Sequence, residues 1–253
     1  MHWCLGMYGS ASTWTFDLVR RVAAAVVPDR PVVSHFINEP LTDLDLSAGT
    51  VVVKTHAVPE PDELARSATA IIITIRDPRD AIASLMAHNK ASFDLALGVT
   101  EATAAMCAKF ATHQRAMLLR FEDRFFDDPT MPEKIAATFG KQLSDADRLR
   151  IFAETRRASI DAFIANIETR PTATRYFDEL TGQPEIYDTV TLWHKHHAGR
   201  KGETGRWRNE LSSVQAAAIE ARLYRWMERF GYRPVTPRPL TYTLTVGRYD
   251  ASF

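Results

Sequence analysis

Gly6-Met7-Tyr8-Gly9-Ser10-Ala11-Ser12-Thr13 is the stretch that decides the fold. The apolar run Trp3–Met7 leads into it and ends in the turn residues Tyr8-Gly9-Ser10. Thr13–Val27 follows, and its Trp14, Phe16, Leu18, Val19, Val22 and Val26 suit a helix with a wide buried face that Pro28 stops. Strand, small-residue turn and helix form the context in which backbone N–H groups point at an anion from a helix N-terminus. The spacing is that of the phosphate loop GxxxxGK[ST], with Ala11 for the second glycine and Ser12 for the lysine. Ser10, Ser12 and Thr13 can add hydroxyl donors. The absent lysine removes a γ-phosphate clamp and argues against an ordinary ATPase or kinase. Taken alone, the segment also reads as a small-residue turn capping a helix.

Outward from this loop, strands and helices alternate. Val32–Phe36, Thr50–Val53, Ala70–Ile75 and Met117–Phe121 read as further strands. Thr50–Val53 and Ala70–Ile75 are apolar without regular polar alternation, which suits a parallel sheet buried on both faces. Pro78 suits the first turn of a helix running to about His88. The pattern predicts an α/β fold, a three-layer sandwich around a central parallel sheet. Ligands of such sheets bind at the carboxyl ends of the strands, where Gly9–Thr13, Lys54–His56, Arg76 and Glu122 fall. The second half reads as mostly helical. Ser144–Ile167 carries a helical pattern, and Ser212 with Gln215 makes a capping box for a helix through about Phe230. Residues 1–233 are expected to form one domain, with 234–253 as a C-terminal tail.

Composition narrows the classes. The 253 residues are 45% hydrophobic and 25% charged, as in ordinary globular proteins. Thirty-one basic residues balance thirty-one acidic ones, which argues against a nucleic-acid binder, so any anion site must be local. Two cysteines, Cys4 and Cys107, support neither a disulfide framework nor a four-thiolate metal site. Apolar runs stay far below the roughly 20 residues of a membrane helix. The first residues have no charged and apolar leader pattern, so a cytoplasmic protein without a membrane span is expected.

Three further clusters carry chemistry. Lys54-Thr55-His56 ends a strand beside the loop. Histidine can take a proton from a hydroxyl near neutral pH, and a neighbouring lysine can stabilise charge on a transferring group. Arg76-Asp77-Pro78-Arg79-Asp80, with Ser84 beyond, opens a helix. Arg76 and Ser84 can hold one anionic group, since an arginine fork matches phosphate oxygens, while Asp77 and Asp80 suit capping the helix. Gly199–Asn209 sets three glycines among four cations, a basic loop suited to closing over phosphate. Its Trp207 is unusual for a solvated linker.

In combination and in this order, the four segments resemble the sulfotransferases that use 3′-phosphoadenosine 5′-phosphosulfate (PAPS), with a bacterial-type member suggested. The family loop, of the form PKSGTTW, is matched by Tyr8–Trp14. The KTH element is intact at Lys54–His56, the arginine-to-serine spacing at Arg76 and Ser84, and RKGxxGxW from Arg200 to Trp207. Phe121-Glu122-Asp123 with Asp128-Pro129 is similar to the family's YEDM…P stretch. The resemblance spans about Met1 to Asn209. It implies a P-loop nucleoside triphosphatase/kinase-like fold and transfer of a sulfuryl group to a hydroxyl or amine, leaving adenosine 3′,5′-bisphosphate (PAP). Carried over by residue, Gly9, Ser10, Ala11, Ser12 and Thr13 would bind the 5′-phosphosulfate. Trp14 and Phe121 would lie on the adenine. Arg76, Ser84, Arg200, Lys201 and Gly202 would hold the 3′-phosphate. Lys54 would contact the sulfuryl group, and His56 would be the general base. No metal is implied.

The sequence departs from the family at three places. Gly9 stands where a loop cation is usual, Phe121 replaces a tyrosine, and Arg206 replaces an aspartate before Trp207. The loss at Gly9 keeps open a catalytically silent PAP- or PAPS-binding relative, beside a degenerate P-loop kinase or triphosphatase. His194-Lys195-His196-His197 lacks companions for a metal site and fits a loop near the acceptor. The acceptor walls are expected in Met86–Met106 and Phe152–Trp193, with Phe93, Phe163, Tyr176, Phe177, Tyr187 and Trp193 as aromatic candidates. A small-molecule, sugar or lipid acceptor all fit, and a homo-oligomer is compatible with the sequence.

Overall fold

A computed structural model of the chain describes residues 1–37, 45, 47, 49–178, 182–197 and 202–236. Five strands form one parallel sheet: β1 (His2–Gly6), β2 (Val32–Phe36), β3 (Thr50–Thr55), β4 (Ala70–Ile75) and β5 (Ala116–Arg120). Their order is β2-β3-β1-β4-β5, so β1 lies at the centre. Its register pairs Cys4 with Lys54 on one side and with Ile72 on the other. The parallel arrangement brings all five carboxyl ends to one edge.

The continuous apolar strands sort by period two onto two faces. Trp3, Leu5, Val51, Val53, Ile71 and Ile73 belong to one hydrophobic cluster. Helices α2 (Pro61–Ser67), α3 (Pro78–Asn89), α4 (Phe93–Phe110) and α9 (Ser213–Arg229) contribute Leu64, Ile82, Leu97 and Leu223 to it. Cys4, Val52 and Ile72 turn to the opposite cluster. There α1 (Ser12–Val26), α5 (Met131–Thr138), α6 (Asp145–Thr155) and α7 (Arg157–Ala165) supply Phe16, Ile135, Ile151 and Ile164. The three-layer α/β architecture is as the sequence predicts. Each fully buried isoleucine contributes about 2 kcal/mol by leaving water, which makes the sheet a firm base for the loops at its edge.

One expectation needs correction. Ser144–Ile167 is not one helix. Ser144 caps α6 by accepting the Asp147 N–H, but Arg156 is extended (φ −67°, ψ 151°) and breaks the run before α7. The second half is mostly helical, as expected, and also holds a hairpin that the sequence reading did not place. This antiparallel hairpin, β6 (Ala173–Asp178) and β7 (Gln183–Asp188), precedes the short helix α8 (Trp207–Glu210). The capping box at Ser212 and Gln215 forms as expected. Tail residues 237–253, including Thr241–Val246, lie outside the described residues. Among the described residues no helix is long and apolar enough to cross a membrane.

His2 illustrates the cost of burying a titratable group. Its ring stacks on Phe139 at 3.6 Å, and Nε2 lies 3.1 Å from Thr138 Oγ1. Burial and the N-terminal ammonium lower its pKa to about 4. The unfolded chain binds this proton near pH 6.5 and the folded chain only near 4, so acid favours unfolding. The penalty is absent above pH 6.5, grows as pH falls, and reaches on the order of 3 kcal/mol at pH 4. Urea unfolding of the wild type and His2→Gln between pH 7.5 and 4.5 checks this. The variant is expected to lose less stability over that range, and parallel losses would contradict it.

Candidate active site

Strand β1 ends at Gly6, and the chain turns through Tyr8–Ala11 into α1. The turn is tied down from below. Met7 N–H donates to the Thr74 carbonyl at 3.0 Å, and Ser10 Oγ donates to the Met7 carbonyl at 2.6 Å while lying 2.8 Å from Thr74 Oγ1. Ser10 is therefore fully buried beneath the loop. Gly9 and Ala11 have φ values of +69° and +65°. Glycine adopts that region freely, whereas alanine does so at about 1 kcal/mol. Helix α1 has neither a side-chain cap nor an acidic residue in its first turn. Its leading N–H groups are thus left to an anionic ligand.

Two cavities meet at this loop. The first, about 290 Å³, is lined by Gly9, Ala11, Ser12, Thr13 and Trp14, with Arg76, Ser84, Phe121, Gly202 and Arg206. The second, about 810 Å³, takes Gly9, Ser12, Thr13 and Ser84 from the other side and adds Lys54 and His56. Ser10 lines neither cavity, since its hydroxyl is engaged by the Met7 carbonyl and Thr74. The other expected nucleotide-binding residues that the structure describes gather around one cavity and the expected transfer residues around the next. Arg200 and Lys201 lie outside the described residues.

Arg76 anchors the first cavity. Its guanidinium donates to the carbonyls of Gly9 at 3.0 Å and Glu203 at 2.6 Å, and lies 4.2 Å over the Phe121 ring. Its Nε is buried without a hydrogen-bond partner, an unsatisfied charged donor of the kind an anionic ligand would complete. A Cβ built on Gly9 would sit 3.5 Å from Ser84 Oγ and 3.6 Å from Arg76 Nη1, so these three residues converge. Trp14 donates its indole N–H to the Thr155 carbonyl at 2.8 Å, which fixes its ring at the cavity wall.

Asp77 and Asp80 have separate tasks. Asp77 caps α3 by accepting the Arg79 N–H. Arg79 grips both Asp77 oxygens, pairs with Glu220 at 2.5 Å, and covers the Trp207 ring at 4.1 Å. Asp80, read from sequence as a cap, instead accepts the N–H groups of Gly205 at 2.6 Å and Trp207 at 3.0 Å. It pins the basic loop onto α3. Glu122 likewise is a brace, accepting from the Asp77 N–H and the Tyr232 hydroxyl.

In the second cavity His56 is held between β1 and Lys54. Its Nδ1 lies 2.6 Å from the Gly6 carbonyl, which can only accept, so Nδ1 carries the proton. Nε2 is then the basic nitrogen and accepts from Lys54 Nζ at 3.2 Å. The ring stacks on Tyr8 at 3.9 Å. Burial, followed by the Lys54 charge, holds His56 well below its ordinary pKa. Burial lowers Lys54 to about 8. At pH 7 the pair is thus a neutral base beside a cation.

Sequence reasoning placed the acceptor aromatics only in part. Tyr176, Phe177 and Tyr187 of the hairpin line the second cavity, as do Leu85 and Asn89. Trp193 belongs to the first cavity, Phe93 packs against the core, and Phe163 lies 4.0 Å beneath Arg170. His194, His196 and His197 face the second cavity. Among the described residues no group of three or more His, Cys, Asp or Glu is arranged to hold a metal ion. Tyr8, Asp80 and Arg206 went unrecognised as site residues. Arg206 had a signal, because a cation in a glycine-rich basic loop is a phosphate candidate regardless of its neighbours.

No protein-family model and no curated protein matches the sequence. Solved structures do. Mouse sulfotransferase SULT7A1 complexed with PAP aligns with a TM-score of 0.58 at 14% identity, over 90% of this chain and 83% of that one. Retinol dehydratase in complex with androsterone and the inactive cofactor PAP aligns at 0.57 and 16%, over 96% and 82%. Its complex with retinol and PAP aligns at 0.57 and 16%, over 94% and 83%. At this identity the likeness establishes a shared fold: the chain has the α/β fold of these PAP-bound proteins.

Asp80→Ala is expected to cost about 3 kcal/mol, because the buried Trp207 N–H and the partly buried Gly205 N–H lose their charged acceptor. It should also open the 202–207 loop to limited proteolysis. An unchanged urea midpoint together with an unchanged digestion pattern would contradict the role given to Asp80.

Proposed function

We propose that the protein transfers a sulfuryl group from PAPS to a hydroxyl or amine acceptor, releasing PAP. The observation that carries this is the junction of the two cavities at Gly9–Thr13, with an anion-competent loop on one side and the Lys54–His56 pair on the other. The shared fold with PAP-bound structures supports it. The residues present fit the nucleotide. Arg76 has an unpartnered Nε, Ser84 and Arg206 line the same cavity, and Trp14 and Phe121 offer ring faces for adenine. Of the 3′-phosphate set, Arg76, Ser84 and Gly202 meet at this cavity.

In the reaction, the acceptor oxygen or nitrogen forms a bond to sulfur while the bond from sulfur to the 5′-phosphate oxygen breaks. That oxygen keeps the electron pair and leaves as PAP. His56 Nε2 takes the acceptor proton. Lys54 now donates to His56 Nε2; an anionic sulfuryl group draws its ammonium away. This frees the lone pair and makes His56 more basic when the substrate arrives. No step of this scheme calls for a metal ion. The acceptor belongs in the larger cavity, whose Tyr176, Tyr187 and Phe36 suit a small molecule, sugar or lipid with a flat or apolar face. One α/β unit over 1–233 and a cytoplasmic setting complete the proposal.

Two variants test it. His56→Ala should abolish transfer from labelled PAPS across a panel of phenol, sugar and alcohol acceptors, while PAP affinity stays within about three-fold. Full activity in this variant would remove His56 as the base. Arg76→Ala should weaken PAP at least ten-fold more than adenosine 5′-monophosphate, since a charged hydrogen bond is worth about 1.5–3 kcal/mol. Equal losses would show that Arg76 does not read the 3′-phosphate.

A further inference from the structure

In the proposed reaction, proton transfer makes His56 an imidazolium in a buried place. The acceptor cavity supplies no carboxylate to balance it: among the described residues that line it there is no Asp or Glu. The His56 ring meets the Gly6 carbonyl, Lys54, Tyr8 and Phe36. Lys54 is a cation and opposes a second positive charge. The Gly6 carbonyl accepts Nδ1–H from the neutral and the protonated ring alike. Phe36 is tilted by 65° at 6.0 Å. Of these four groups, Tyr8 lies face to face with the imidazole, at 3.9 Å between centroids and 16° between planes.

The turn that carries Tyr8 sets its ring in place before any substrate arrives. Ser10 N–H and Ser10 Oγ both donate to the Met7 carbonyl, at 3.3 and 2.6 Å. The N–H bond closes the four-residue turn Met7–Ser10, with Tyr8 and Gly9 as its central pair. Gly9 has a φ of +69°, which suits the third position of a type II turn. The Tyr8 side chain is partly buried and packs against the cluster that holds Ile82 and Leu97. Tyr8 stands where the loop form PKSGTTW has its proline. Proline has no π face, so the stack belongs to this chain rather than to the motif by which the site was read.

We propose that Tyr8 is a positioning residue for the base: its ring fixes the plane of the His56 imidazole and stabilises the imidazolium that forms during transfer. The proposal rests on the proposed function and adds a residue to it. The face of an aromatic ring carries negative potential and attracts a cation, most strongly where water is excluded. The neutral imidazole gains little from that field and the protonated ring much more. The contact therefore strengthens as the proton arrives, which is the condition for lowering a barrier. The acceptor's proton ends on Nε2, and the Nδ1 proton stays on Nδ1, bonded to the Gly6 carbonyl. The acceptor–sulfur bond forms, and the electron pair of the broken sulfur–oxygen bond stays on PAP. Tyr8 exchanges no proton.

Wild type, Tyr8→Phe and Tyr8→Leu are compared in transfer from labelled PAPS, using the acceptor that the wild type turns over fastest in the phenol, sugar and alcohol panel. Calorimetric titration with PAP accompanies the kinetics. Phenylalanine keeps the ring face and should hold kcat within about three-fold of wild type. Leucine fills the space without a π face and should lower kcat about ten-fold, with KM for PAPS and the affinity for PAP changed by less than about three-fold. A leucine variant as fast as wild type would overturn the proposal. So would equal losses in both variants, which would assign the effect to the Tyr8 hydroxyl, and a parallel loss of PAP affinity, which would assign it to the shape of the loop. Should Tyr8→Leu fail to fold, Tyr8→Met takes its place under the same expectations. Proton spectra of the wild type add a check that needs no variant: the Tyr8 ring should displace the His56 ring protons upfield, and ordinary positions would overturn the proposal. A wild type that binds no PAP, or transfers to no acceptor, would instead overturn the proposed function itself.

Discussion

The close approach of strand β1 to the start of helix α1 at Gly6 is the constraint on which the site depends. A Cβ there would lie 2.3 Å from Thr74 Oγ1 and 2.6 Å from Ser12 Cβ. No side chain fits without moving β4 or α1. Because the position is bare, the helix begins directly above the strand end, and its unpaired N–H groups open onto the sheet edge. The Gly6 carbonyl remains available to His56 Nδ1. One backbone atom therefore sets the tautomer of the proposed base, and one missing side chain places the anion loop beside it.

Charge is arranged around this point with little solvent to screen it. Lys54, His56 and Arg76 are all buried. Burial holds the two bases of the acceptor side below their ordinary pKa values. It also lowers that of Arg76, which stays charged as guanidinium does in proteins. The acids nearby are already engaged: Asp77 with Arg79, Asp80 with the loop N–H groups, and Glu122 with Asp77 and Tyr232. They brace the site, leaving its cations to face the cavities. An arrangement that holds cations in low dielectric suits a ligand carrying several negative charges.

The sheet was legible because β3 and β4 are runs of β-branched residues, each ending in a recognisable cluster, and β1 is an apolar run that ends in the small-residue loop. Lys54, His56, Arg76 and Ser84 stand at those ends, and one parallel sheet must bring such ends together. The hairpin was not legible. Arg175, Glu185 and exposed Phe177 give β6 and β7 no buried face to mark their period. The break at Arg156 was also hidden, since neither proline nor glycine interrupts 144–167. Asp80 looked like a cap because its partners, Gly205 and Trp207, lie about 125 residues away.

The most direct test of the account is calorimetric titration of the protein with PAP, set against ATP and adenosine 5′-monophosphate, with and without magnesium. The account predicts clear preference for PAP, unchanged when magnesium is removed, because Arg76 and Ser84 recognise a 3′-phosphate. Preference for ATP in the presence of magnesium would contradict it and assign the site to phosphoryl transfer.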